Sequence, residues 1–140
     1  MKVSVKLDYA LRAMLGLARH HVAGRALTIE DLATENRIPA GYLAQILIEL
    51  KAKGLVKSVR GKEGGYFLVR PPSAISLGEV IRGLYGQIFD PTPPSEDGPR
   101  SPEITQAWEV LQKGLDTTAD GITLQQLLDS GSEKEKMYYI

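Results

Sequence analysis

The stretch LVKSVRGKEGGYFLVRPP, residues 55–72, constrains the fold of this 140-residue chain more than any other. LVKSV and YFLVR are both rich in β-branched and aromatic residues, and RGKEGG separates them. Two apolar runs joined through glycines predict a β-hairpin whose turn uses backbone conformations that side chains resist. Pro71 and Pro72 close the second strand, because proline cannot donate to a strand ladder. Gly61, Gly64 and Gly65 could instead suggest a phosphate cradle. A nucleotide-binding loop needs a strand, the spacing G-x-x-x-x-G-K-[ST] and then a helix. Here Lys62 precedes the glycine pair, no Ser or Thr follows it, and the next element is a strand. The mechanics of nucleotide binding fail. A plain turn, or the tip of something inserted into a groove, remains.

What precedes the hairpin bears on that choice. Leu7, Leu11, Met14, Leu15, Ala18 and Val22 recur at steps of three and four, which predicts a first helix from Val5 to Ala23 with one buried face, stopped at Gly24. Thr28, followed by Asp31, caps a second helix, Ile29 to Asn36. NRIPAGY breaks the pattern, and Pro39 suits the first turn of a third helix. That helix runs to about Lys53, buries Leu43, Ile46, Leu47 and Leu50, and ends at Gly54. Two helices joined by a tight turn and followed by a two-stranded hairpin make a winged helix-turn-helix. In that fold the second helix enters the major groove, and a basic wing reaches phosphates or the minor groove.

Charge follows the same division. The net charge is zero, yet residues 1–70 carry 12 Lys/Arg against 6 Asp/Glu and residues 71–140 carry 5 against 11, so the halves stand at +6 and −6. Only the first half attracts a polyanion. Lys51, Lys57, Arg60 and Lys62 are its cationic candidates at the hairpin and the helix before it, and Arg70 lies at the hairpin base.

After the hairpin, Ser76 and Glu79 form a capping box for a fourth helix, Leu77 to Tyr85. Residues 86–102 contain five prolines and no apolar period, which predicts a loop. Ser101 and Pro102 open a long helix with Ile104, Ala107, Trp108, Leu111 and Leu115 on one stripe. A helix set apart by such a loop has little core of its own. Packing of Ile104, Trp108, Leu111 and Leu115 against the same helix of a second copy would bury the stripe in a twofold dimer. Thr123 and Gln126 cap a short closing helix with Leu124, Leu127 and Leu128, and residues 131–140 are expected to form a loose, flexible tail. The expected organisation is a DNA-binding domain over 1–85, a Pro-rich loop over 86–102, dimerisation and closing helices over 103–130, and the tail. The fold class is mainly α with a small β-hairpin: a winged helix-turn-helix plus a long C-terminal dimerisation helix.

The absence of cysteine excludes disulfides, thiolate metal sites and cysteine nucleophiles. No apolar run reaches the roughly 18 residues of a membrane span. MKVSVKLDYA lacks a signal peptide's apolar core, so no membrane partner and a cytoplasmic location are expected. His20 and His21 point about 100° apart on a helix and cannot hold one ion together. No Ser/His/Asp arrangement is suggested, so no catalytic residue is assigned.

KLDYALRAMLGLA, IPAGYLAQILIELKAKGLVKSVRGKEGGYFLVRPP and ISLGEVIRGL resemble the Rrf-two family of winged-helix transcriptional regulators. The resemblance is strong over residues 2 to about 85 and resumes weakly at WEVLQKGLDTTADGITLQQLL, where the family has its dimerisation helix. The R-G-x-x-G-G-Y wing after a G-L-V-x-S strand is a specific part of it. The resemblance implies that Arg60 and Gly61 approach the minor groove, that Tyr42 and Gln45 face DNA from the recognition helix, and that Tyr9 and Arg12 form the first-helix motif. For Tyr9 and Tyr42, partial core packing is the competing reading, and for Gln45 it is a solvated helix position. Ala44 stands where cluster-type members carry an acidic residue used in sequence discrimination, and Ala40-Gly41 where serine is common. Glu63 at the wing tip either points away from DNA or pairs with Lys62 or Arg60. Cluster-binding members place three cysteines in the loop before the long helix. This chain has none, and Asp8, where some members supply another ligand, cannot hold a cluster alone. No cofactor and no metal are expected. The function implied is that of a sequence-specific DNA-binding regulator, a repressor acting as a homodimer on a palindromic operator of double-stranded DNA. The alternatives are a regulator controlled by a protein partner and a small-ligand binding module, with an effector of unknown identity in either.

Overall fold

The computed structural model describes residues 2–91 and 100–138. The first helix, α1 (Val5–Arg19), begins where Ser4 Oγ accepts from the Leu7 N–H at 3.1 Å. It ends four residues earlier than the apolar stripe suggests. His20 N–H and His21 N–H donate to Leu17 and Ala18, each at 3.2 Å and three residues back, which tightens the last turn. The tightening takes Val22 out of phase with the buried face and leaves it 95% exposed. Met14 and Ala18 of the same stripe are buried, while Leu11 and Leu15 pack at the core's margin.

Helix α2 (Ile29–Asn36) starts at Thr28, whose hydroxyl accepts from Asp31 N–H at 3.1 Å. Arg37 ends it in the left-handed conformation with φ 55°, the one such non-glycine residue among those described. Helix α3 (Ala40–Ala52) follows after a single further turn residue, Ile38, and Pro39. Pro39 lies one position before the first helical turn, with extended ψ of 126°. Its carbonyl already accepts from Leu43 N–H at 2.9 Å, so it serves as the cap residue. Leu43, Ile46, Leu47 and Leu50 are buried as their spacing requires.

Strands β1 (Val56–Val59) and β2 (Gly65–Leu68) pair antiparallel, with Val56 opposite Leu68 and Val59 opposite Gly65. The second strand ends before Val69, whose N–H still donates to Leu55 at 3.2 Å, and Pro71 stops the ladder. The hairpin is also paired on its outer edge. Leu27 N–H donates to Tyr66 carbonyl at 3.0 Å and Tyr66 N–H to Leu27 carbonyl at 2.7 Å, tying the wing to the segment before α2. Gly65 permits this approach, because a Cβ there would lie 2.3 Å from the Leu27 carbonyl oxygen.

One turn of 3-10 helix (Pro72–Ala74) leads to α4 (Leu77–Tyr85), capped by Ser76. Helix α5 (Pro102–Asp120) starts from Ser101, and α6 (Leu124–Tyr138) from a reciprocal cap in which Thr123 and Gln126 bond each other's N–H at 3.1 Å. Of the loop expected over 86–102, residues 86–91 and 100–101 form no helix or strand, Pro102 already begins α5, and 92–99 lie outside the described residues. Helix α6 is not short. It continues to Tyr138, through the segment expected to be a loose tail, because GSEKEKMY carries four strong helix formers in Glu133, Lys134, Glu135 and Lys136 and no proline.

One apolar core unites these parts. Residues from α1, α2 and α3, both strands, α4 and Leu124 of α6 belong to a single cluster. Backbone bonds close the joint between the two halves: Leu77 N–H to Ile122 carbonyl at 2.7 Å and Leu124 N–H to Ile75 carbonyl at 3.0 Å. Arg82 of α4 grips the C-terminal part of α5 through Asp116, at 3.2 Å, and Asp120. The hydrogen bond to Asp120 is the chief reason the Arg82 guanidinium is held above its ordinary pKa. Among the described residues, no helix is long and apolar enough to cross a membrane.

Candidate nucleic-acid interface

Helix α3 presents its unburied side between α1 and the wing. Opposite its four buried positions run Gly41, Gln45, Ile48 and Ala52, all exposed, at steps of four, three and four. Tyr42 and Glu49 flank that ridge towards α1, and Lys51 flanks it towards the wing.

The α1 flank is a stacked and ion-paired array. The Tyr42 ring meets Tyr9 edge-on, with centroids 5.3 Å apart at 77°. Arg12 lies 5.5 Å from the Tyr9 ring centre and pairs with Asp8 at 2.8 Å. The core-packing reading separates the two tyrosines. Tyr9 packs half-buried on the core, while Tyr42 is 43% exposed. Lys6, which the sequence reading overlooked, bonds Glu49 at 2.7 Å, and that hydrogen bond raises its pKa above the ordinary lysine value. The signal available for it was its place three residues before Tyr9 on the same helical face. Tyr85 of α4 completes the flank, hydrogen-bonded to Ser4 and 5.6 Å below the Lys6 ammonium.

On the other flank, Lys51 Nζ donates to Ser58 Oγ of β1 at 2.7 Å, fastening α3 to the wing. Lys57 lies 4.6 Å over the Phe67 ring, across the hairpin pair. At the tip, Gly61 takes φ 117°, and Arg60 and Lys62 are exposed with no ion pair or hydrogen bond among the described residues. Glu63 is exposed too and pairs with neither of them among the described residues. Arg70 is withdrawn from the cationic face: it bonds Glu79 and, at 2.8 Å, the Ala74 carbonyl, bracing the wing base on α4. The glycines thus build a braced hairpin with cations at its tip, and the phosphate-cradle geometry of a strand leading into a helix is absent from this stretch.

The comparisons with known proteins agree with that geometry. Residues 3–130 match the family model Rrf2, described as an iron-dependent transcriptional regulator. The chain belongs to the Rrf2 family. It is 35% identical to the HTH-type transcriptional regulator CymR of Bacillus subtilis, over all of both chains. It is 32% identical to the HTH-type regulator IscR of Escherichia coli, covering 93% of this chain and 82% of that one. Among solved structures, CymR, the global cysteine regulator of B. subtilis, superposes with a TM-score of 0.79 at 34% identity, covering 93% of this chain and 98% of that one. IscR of T. potens gives 0.78 at 33% identity, covering 99% and 97%. The fold is therefore the winged helix of these regulators, and the protein is a DNA-binding transcriptional regulator rather than an enzyme.

A thiolate-held iron site, as the iron in the family's description would suggest, does not fit the donors in this chain. There is no cysteine, so no thiolate-held cluster can form. Asp8 is engaged by Arg12 at 2.8 Å, and His20 Nε2 faces Glu35 at 3.1 Å. Among the described residues, no three metal-ligating side chains converge.

The stripe on α5 divides. Trp108 and Leu115 are half-buried against their own chain, with Trp108 5.8 Å from the Phe89 ring. Ile104 and Leu111 are exposed, as is Val110, which the stripe did not include and which is 67% open.

Proposed function

We propose that this regulator binds a palindromic operator as a homodimer and represses by occupying promoter DNA in the cytoplasm. The observation that carries the reading is the open ridge of α3, bordered by Tyr42 and by a wing whose Arg60 and Lys62 have no ion-pair or hydrogen-bond partner among the described residues. In this reading α3 lies in the major groove, where Gln45 and Tyr42 meet base edges, with Tyr9 and Arg12 behind them. Lys51 and Lys57 face phosphates, and Arg60, Gly61 and Lys62 reach the minor groove or its phosphate rim. The second half, at −6, stays off the DNA.

The dimer reading draws on α5. Ile104, Val110 and Leu111 are exposed on a helix of which Ala119 is the one buried residue; Ile104 and Leu111, two turns apart, share a face, and Val110 lies to its side. Two such helices packed about a twofold axis would remove that apolar surface from water and set two recognition helices against two half-sites.

The test is selection of bound genomic fragments by purified protein at two salt concentrations, followed by Arg60→Ala on the recovered sequence. A shared palindrome is expected, with affinity falling steeply as salt rises. Arg60→Ala should weaken binding and lower the logarithmic salt slope by about 1 for a lost phosphate contact in each half-site. An unchanged affinity and slope would remove the wing from the interface.

A further inference from the structure

The ridge of α3 contains a side chain that neither solvent nor the core accounts for. Ile48 is 60% exposed and outside the apolar cluster. A helix position facing water usually carries a straight polar residue, since a β-branched one loses side-chain freedom and leaves apolar surface hydrated. The charged residues nearest it are turned aside: Glu49 is held at the α1 flank by Lys6 at 2.7 Å, and Lys51 at the wing flank by Ser58 at 2.7 Å. Along the ridge itself, Gly41, Ile48 and Ala52 carry no hydrogen-bonding side chain, and Gln45 is the exception.

A neutral ridge of this composition has a restricted vocabulary in the major groove. A glutamine amide matches the N6 and N7 edge of adenine, and an apolar side chain matches the C5 methyl of thymine. Guanine calls for a cation, and cytosine for a carboxylate, which the ridge lacks. Three residues advance a helix by about 4.5 Å, against about 3.4 Å per base-pair step. Ile48 therefore falls within one or two steps of whatever Gln45 contacts.

We propose that Ile48 is a specificity-determining residue that reads the C5 methyl of a thymine in each half-site, close to an adenine met by Gln45. This rests on the reading that α3 occupies the major groove, and it adds a base that the family resemblance does not assign.

Deoxyuridine differs from thymidine by that methyl alone. On an operator duplex recovered by selection, each thymidine of a half-site is replaced in turn by deoxyuridine, symmetrically, and affinity is measured by fluorescence anisotropy for the wild type and for Ile48→Ala. At one position the wild type should weaken about fourfold per half-site, the equivalent of ~0.8 kcal/mol for one buried methyl or methylene group. Ile48→Ala should bind the thymidine duplex more weakly and lose nothing further on the deoxyuridine duplex. Its melting curve should match that of the wild type, since Ile48 buries little of itself. Insensitivity of the wild type at every thymine overturns the proposal, and so does an equal loss in both proteins, which would assign the methyl to another side chain. If the wild type binds no fragment specifically, the regulator reading fails first and this one with it.

Discussion

Replacing Gly65 by alanine tests how the wing is held. The new Cβ would lie 2.3 Å from the Leu27 carbonyl oxygen and 2.5 Å from its carbon. Both are backbone atoms that cannot rotate away, so β2 must part from residue 27. Parting breaks the Leu27–Tyr66 pair, two hydrogen bonds of 3.0 and 2.7 Å. At about 1 kcal/mol net each, these account for ~2 kcal/mol. Leu27 is 1% exposed and would lose part of its packing, which brings the expected loss to about 2–4 kcal/mol. Urea denaturation followed by circular dichroism, at one protein concentration, measures it. Gly41→Ala is the matched control: no atom lies within 4 Å of its Cβ and it is helical, so it should be neutral or stabilising by up to ~1 kcal/mol. Gly65→Ala should also reduce DNA affinity at temperatures where the protein remains folded, because the wing loses its brace. Stability within ~0.5 kcal/mol of the wild type would refute the reasoning, since it would mean that the edge pairing neither confines the wing nor contributes to the fold.

Arg37 occupies the left-handed region at φ 55°, so Arg37→Gly should relieve backbone strain and stabilise by about 1 kcal/mol, read as a higher urea midpoint; a lower midpoint would contradict this. Arg82→Met removes the grip on Asp116 and Asp120. The guanidinium is about one-third exposed, so the expected loss is screened to about 1 kcal/mol and should shrink in high salt; a salt-independent loss would point to packing instead. Leu111→Asp places a charge on an exposed part of α5 and should shift sedimentation equilibrium from dimer to monomer without changing helical content. An unaltered mass would move the dimer contact elsewhere.

Several features were legible because they are local. Thr28, Ser76 and Thr123 cap their helices by bonding an N–H three residues away, so residue type and spacing suffice to find them. The burial of Leu43, Ile46, Leu47 and Leu50 follows from helical period alone. The hairpin follows from two strand-forming runs around glycines. Val22 failed the same test because period cannot register a tightened last turn, which shifts the phase without altering the pattern.

The sequence by itself thus determined the order of the elements, the winged helix-turn-helix class and the cationic character of the N-terminal half, since each depends on near neighbours or on counting. The tertiary structure alone decided which side chains share a surface. Tyr9 meets Tyr42, Lys6 holds Glu49 at the edge of the ridge, Arg70 is diverted to Glu79, and Leu27 pairs with Tyr66. Each contact joins residues from different elements, and its existence depends on the angle and distance at which the shared core sets those elements. No local period encodes that placement. It is also what leaves Ile48 open and isolated on the face of α3.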